Sequence, residues 1–498
     1  MRAWVRELAG GVGALGLALI TAAQVAASAR SELLFRDADS LVVAMFARSV
    51  LSGQPLDWAM SSVLFLPETA VFAGLDTILP FEVDGLLAVS AVVNLLALYG
   101  AVRVVAGRRS ERSAPVTWSL LSVAAFSVLA MTAVSASRDA LELASLTLTT
   151  TYYAATVVAV VLSVGLVRRV LDRGSGGAVP LIALGVTALV STLSNPLYAV
   201  WATAPITLLL ALLLIRTTQR ARIGAVLAAL LAATVAGFLG RIPLAAWIAN
   251  TGAGYVQPER WSESLQYYGA LLTGRLSTPG GIIAGLLVLA LLVLAGFRTA
   301  RASDDGTRFV ATIAWLMPVL VAFGAIAVGT HAARYLQPLA FAPVLALVAS
   351  PRIVRMPVRV RPILAAASVA LLVAGGAASV PRLSAAAQVT DPDLACVTEW
   401  IDASGRTGAG QFWTVRLPKL HLRDPARLVQ VDHELRGYAW LVNRHDFDVG
   451  EVTFLLEDAQ TVAWSLPLPA VPEEVADCGR YRILDFGETA LPLGPQRS

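Results

Sequence analysis

Residues 280–297 read GGIIAGLLVLALLVLAGF, eighteen residues without a charge, closed by Arg298. As a helix rising 1.5 Å per residue the run is about 27 Å long, close to the hydrocarbon thickness of a bilayer. Ten further apolar runs share its character: 8–29, 84–106, 115–135, 146–167, 178–194, 197–215, 223–240, 309–328, 335–350 and 362–380. The composition agrees, with 57% hydrophobic residues, 14% charged residues and a mean hydropathy of +0.69 over 498 residues. No soluble domain needs that much apolar surface. The pattern predicts an α-helical polytopic membrane protein with about eleven transmembrane helices.

The connections between the runs alternate in charge. One set holds Arg2 and Arg6; Arg103, Arg108, Arg109 and Arg112; Arg168, Arg169 and Arg173; Arg216, Arg220 and Arg222; Arg298, Arg301 and Arg308; Arg352, Arg355, Arg359 and Arg361. That set carries 19 arginines against 8 in the other. The positive-inside rule then places the N-terminus in the cytoplasm and the C-terminal tail outside. The first run follows Arg2 and Arg6 and ends in small residues, as a signal peptide would, but it is longer than a signal h-region and reads as a retained span. Lys419 is the only lysine, and the Arg, Ala, Val and Leu usage points to a GC-rich bacterial gene and so to a bacterial plasma membrane. Basic residues are dispersed among the spans, which gives no sign of nucleic-acid binding.

Two domains are expected. Residues 1–380 form the transmembrane domain, with 30–83 as one long external loop carrying interfacial helices. Residues 381–498 are richer in charge and proline and hold short β-like runs, Arg427–Val431, Val452–Leu456 and Arg480–Phe486. They predict a small extracytoplasmic α/β domain. Both cysteines, Cys396 and Cys478, fall in it, and an external location favours their pairing. A bridge over that span of chain stabilises by roughly 4–5 kcal/mol on the chain-entropy account.

Candidate chemistry lies in the external segments. Phe35-Arg36-Asp37-Ala38-Asp39-Ser40 precedes an apolar stretch that suits an interfacial helix. Asp39 or Ser40 could cap that helix, with Asp37 a solvated loop charge; alternatively the helix N-terminus holds a carboxylate ionised and ready to accept a proton. Glu68 follows Leu66-Pro67 and could return to the same site. Arg138, Asp139 and Glu142 form either a local ion pair or an acidic contribution to a cation or sugar site. Trp261, Tyr267 and Tyr268 suit an interfacial aromatic belt or a stacking surface for sugar rings. His331 and Arg334, beside Tyr335, sit where the chain re-enters lipid; such an arginine snorkels or finds an anion such as a phosphate.

The sequence holds no Walker A loop, dinucleotide fingerprint, zinc spacing or nucleophile elbow, which argues against ATP hydrolysis and redox cofactor use. No series of charges recurs within the spans, which weakens an ion-coupled transporter reading.

The layout resembles the GT-C superfamily of integral membrane glycosyltransferases, which includes the protein O-mannosyltransferases and aminoarabinose transferases. The matching positions are Asp37 and Asp39, Gly53-Gln54, Leu66-Pro67-Glu68, and His331 with Arg334-Tyr335-Leu336 and Pro338. The family's usual Asp-Glu pair stands here as Asp-Ala-Asp. The resemblance implies a polyprenyl-phosphate sugar donor and an extracytoplasmic glycan, lipid or protein acceptor. It implies Asp39 first, and Asp37 second, as the base that deprotonates the acceptor hydroxyl for inverting attack. Arg334, with His331 or a divalent cation, would stabilise the departing phosphate, while Glu68, Asp139 and Glu142 orient sugar hydroxyls or a metal. Two other classes compete: a lipid or polysaccharide transporter, with Asn195-Pro196 and Arg241-Ile242-Pro243 as weak path residues, and a non-catalytic scaffold of the cell envelope.

Overall fold

The computed structural model describes residues 3–108, 113–172, 178–215, 219–352, 357, 360–467 and 469–497. Arg2, Arg109, Arg112, Arg173, Arg216, Arg355 and Arg359, seven of the arginines in the charge alternation, lie outside the described residues. The chain divides into a helical unit (Met1–Ser31, Leu87–Ile242, Gly254–Ala387) and a mixed unit (Glu32–Leu86, Pro243–Ala253, Gln388–Ser498).

Among the described residues, seven helices are long and apolar enough to cross a membrane: Ala3–Ala26, Val83–Val105, Ala154–Asp172, Arg220–Leu239, Pro279–Ala300, Asp305–Ala327 and Ile363–Ala387. Three of the other four expected spans appear as shorter apolar helices, Pro115–Met131, Ala178–Ser194 and Ala199–Leu214, and the fourth as the interrupted apolar stretch Ala333–Ala349. Small residues let backbones approach. A Cβ on Gly16 would strike the Leu372 carbonyl, and one on Gly376 would meet the Gly16 backbone, so Ala3–Ala26 and Val360–Ala387 cross at backbone contact. The expected domain edge at 380/381 falls inside the latter helix, which runs through Pro381 into an alanine-rich last turn.

One expected span starts late. Residues 146–153 were expected to be helical, yet a 3-10 turn spans Ser145–Leu148 and the helix begins at Ala154. Thr149 donates its hydroxyl to the Leu146 carbonyl (2.7 Å) and accepts from the Tyr152 N–H (3.3 Å). Such local bonds compete with a helical ladder.

Another expected span is broken into four turns: Ala333–Leu336, Pro338–Phe341, Pro343–Leu345 and Ala346–Ala349. Pro338 and Pro343 remove two N–H donors. Broken backbone survives at membrane depth only where protein satisfies it. Here Trp201 Nε1 donates to Tyr335 O (3.1 Å), Ser122 Oγ to Val344 O (2.8 Å), Arg298 to Ala346 O and Leu347 O (2.6 and 3.0 Å), and Arg168 to Val348 O (2.8 Å).

The mixed unit is built on seven strands: β1 Gly408–Gln411, β2 Leu428–Val431, β3 Arg436–Tyr438, β4 Phe454–Glu457, β5 Glu474–Cys478, β6 Tyr481–Asp485 and β7 Gly494–Arg497. Their order is β7-β3-β2-β1-β4-β6-β5. Strand β1 pairs in parallel with β2 and β4; β2–β3, β4–β6 and β5–β6 are antiparallel. Alternation decides the faces. Phe454 and Leu456 pack under the helices with Val397, Ile401 and Val415, while Leu455 joins Ala409, Val429 and Phe486 on the opposite face. Helix Pro392–Ser404 is capped by Asp391, which accepts from Leu394 N–H (3.1 Å). Cys396 on that helix and Cys478 at the end of β5 form a disulfide across 82 residues, with Cα atoms 5.5 Å apart.

Residues Glu32–Leu86 belong to this unit. Trp58–Ala59 pairs antiparallel with Val442–Asn443, and Met60 exchanges backbone hydrogen bonds with Trp247 and Ala249. A helix spans Val42–Leu51. Its N-cap is Leu41, not Asp39 or Ser40.

Candidate functional site

In the helical unit, five of the expected site residues, Asp139, Tyr267, His331, Arg334 and Tyr335, gather with Tyr153, which the sequence reading passed over. Arg334 sits in the 3-10 turn Ala333–Leu336, half-buried. Its Nη1 approaches Asp139 Oδ1 at 3.4 Å, its guanidinium lies 5.4 Å from the Tyr335 ring, and it bonds the Tyr153 hydroxyl. Tyr335 meets Tyr255 edge-on at 6.5 Å, and Tyr267 meets both Tyr268 (5.2 Å) and His331 (5.4 Å). The Tyr268 hydroxyl shares a 2.7 Å bond with Thr330. Burial raises the pKa of the Tyr267 phenol, with the Asp139 charge acting the same way, so it stays a hydroxyl at neutral pH. The site therefore offers a guanidinium, a carboxylate, an exposed imidazole and several ring faces.

Tyr153 was absorbed into an expected span and so missed. Its φ of +66° is left-handed, which a bulky side chain rarely adopts. The only signal in sequence is the Thr-Thr-Thr-Tyr-Tyr run, whose hydroxyls compete with helix. Trp261 opens helix Trp261–Leu276 but is largely exposed and makes none of these ring contacts among the described residues.

Glu142 plays a different part from the sugar contact expected of it. It is buried, and its carboxylate accepts from Val134 N–H (2.9 and 3.0 Å), Ser135 N–H (2.9 Å) and Arg275 Nη1 (2.8 Å), with Arg30 Nε at 3.5 Å. Arg30 also donates to Ser145 Oγ, Ser137 O and Glu142 O, and Arg275 to Thr132. Protein donors saturate this carboxylate, which makes it the hub of a buried Arg–Glu–Arg triad.

In the mixed unit, the acidic segment wraps a buried arginine. Arg416, on helix Phe412–His421, is fully buried; its Nε donates to Ala38 O (2.7 Å) and its Nη1 to Leu441 O (2.6 Å). Burial pulls its pKa down to about 10, and the charges of Asp39 and Asp37 act against that pull. Asp37 accepts from both the N–H and the hydroxyl of Ser40 (3.1 Å each). Glu68 is buried in the first turn of helix Leu66–Ile78, where the helix dipole favours a carboxylate. His421 Nε2 lies 3.9 Å from Asp84 Oδ1 while its Nδ1 faces Leu417 O (3.0 Å), a pairing with no mark in the sequence. Among the described residues, no three His, Cys, Asp or Glu side chains gather as a metal site.

No protein-family model and no curated protein matches this chain.

Proposed function

We propose that this chain is a membrane glycosyltransferase of the GT-C kind, moving a sugar from a polyprenyl-phosphate donor to a cell-envelope acceptor with inversion. The observation that carries the reading is the Arg334 cluster. A half-buried guanidinium is held by Asp139 and Tyr153 among the rings of Tyr255, Tyr267 and Tyr335, with His331 beside them. An arginine presents two parallel N–H donors to a phosphate, and aromatic faces stack on sugar rings. The left-handed Tyr153 adds weight, because backbone strain collects where a side chain must be aimed.

In this reading the acceptor oxygen bonds to the anomeric carbon as the bond from that carbon to the phosphate oxygen breaks. The electron pair leaves with the lipid phosphate, where Arg334 meets its charge. The acceptor proton passes to a carboxylate base, the role the resemblance gives to Asp39 first and Asp37 second. The chain then lies in a bacterial plasma membrane with about eleven spans, N-terminus inside and the C-terminal domain outside.

The test compares wild type, Arg334→Gln and Asp39→Asn in proteoliposomes loaded with radiolabelled polyprenyl-phosphate sugars. Each substitution is expected to lower transfer by about 10²-fold or more while melting behaviour is kept. Transfer unchanged in both variants would remove the proposed roles.

A further inference from the structure

We propose that a second site, at the opposite end of the same helices, binds a phosphate-class anion, in the form of an anionic phospholipid headgroup. Helix Asp305–Ala327 runs from this site toward the Arg334 cluster, and its 23 residues put about 35 Å between its ends. The site is a cleft of about 650 Å³ whose lining includes Trp118, Arg168, Arg298, Arg301, Asp304 and Arg352. These come from four separate stretches of the chain.

Charge in the cleft is unbalanced. Arg168 is answered by Asp172 at 3.2 Å. Asp304 is occupied in capping its helix, accepting from Thr307 N–H at 2.7 Å. Among the described residues no carboxylate comes within ion-pair distance of Arg298, Arg301 or Arg352. Arg298 and Arg352 are near enough to repel each other. The side chains of Arg298 and Arg301 and the backbone of Arg352 are nevertheless held in place. Arg298 donates to two carbonyls of the broken span and lies 5.3 Å from the Trp118 ring; Trp118 Nε1 in turn holds the Arg352 carbonyl at 2.7 Å. Arg301 stacks on Phe297 at 4.2 Å.

The positive-inside rule asks only that arginines lie on one side of the membrane. It does not ask three unmatched guanidiniums, two at the end of helix Pro279–Ala300 and one from Arg352, to line one concavity. An anion with two or more charges would relieve their repulsion and accept several of their donors. Exposed Phe297 supplies an apolar wall beside them, which favours a ligand with an acyl portion. Basic pockets between membrane helices take anionic headgroups on the same physics.

The test uses the full chain in phosphatidylcholine nanodiscs, titrated with fluorescent cardiolipin and, separately, with inorganic pyrophosphate. The Arg301→Gln/Arg352→Gln pair removes two exposed side chains and is expected to fold. It should bind cardiolipin about tenfold more weakly than wild type. Arg308→Gln, which removes the same charge from a residue facing Asp305, should bind as wild type does. If the pair fails to fold, Arg301→Gln alone is read in the same way. Pyrophosphate binding that depends on the same arginines, without cardiolipin binding, would keep the anion site and assign it to a soluble ligand. Equal binding by wild type and variant, an equal loss in Arg308→Gln, or no binding of either probe would overturn the proposal.

Discussion

Arg416 holds the acidic segment in place, and that contact could not be read from the sequence. Its partner Ala38 is 378 positions away, and nothing in Phe412–His421 marks one arginine as buried. The residue types Asp37 and Asp39 were legible; their attachment was not. Replacing Arg416 by Met removes the bonds to Ala38 and Leu441, so residues 32–41 should become cleavable in limited proteolysis while the wild type resists; equal resistance would contradict this role. Glu142 teaches the converse. Its spacing from Asp139 suggested a shared site, yet backbone amides and two arginines occupy it. Glu142→Gln leaves Arg30 and Arg275 buried without a counter-charge, a loss of about 3–5 kcal/mol. The expected result is a sharply lowered melting temperature, and a variant melting with wild type would show the triad to be dispensable.

Elements with strong periodicity were read closely. The run at 280–297 became Pro279–Ala300, and 178–194 became Ala178–Ser194. Where reading failed, side-chain chemistry overrode hydropathy: threonine hydroxyls delayed one helix at Ala154, and two prolines broke another whose carbonyls distant residues then satisfied. Close helix crossings leave little mark either, since Gly16 and Gly376 lie among many glycines. Gly16→Val puts a side chain into the Leu372 backbone and should destabilise the protein, whereas Gly11→Val, where a Cβ meets nothing, should not; similar melting of the two would argue against the crossing. In the mixed unit the Arg406 guanidinium grips both Asp485 oxygens (2.7 and 2.5 Å) and holds that carboxyl below its usual range. Its folded-state pKa lies below the unfolded value, so the pair stabilises above about pH 4 and its contribution fades as pH falls through the folded value. Arg406→Gln should move the onset of acid unfolding, followed by tryptophan fluorescence, to higher pH.

At the scale of the whole molecule, composition announced apolar helices and two cysteines announced a bridge, both of which the structure contains. The division of the chain was less legible, because Glu32–Leu86 and Pro243–Ala253 join the C-terminal domain through strand pairing and backbone bonds that local sequence does not encode. Replacing Cys396 and Cys478 by Ala should lower the melting temperature of the mixed unit, on the chain-entropy scale of roughly 4–5 kcal/mol. The proposed chemistry is cleavage of the bond between a sugar and a polyprenyl phosphate. Purified wild-type protein in proteoliposomes, incubated with a panel of labelled donors of that kind, reads it out. For at least one donor, label is expected to leave the lipid phosphate only when protein is present. Folded protein that releases no label from any donor, with candidate acceptors supplied, would contradict it.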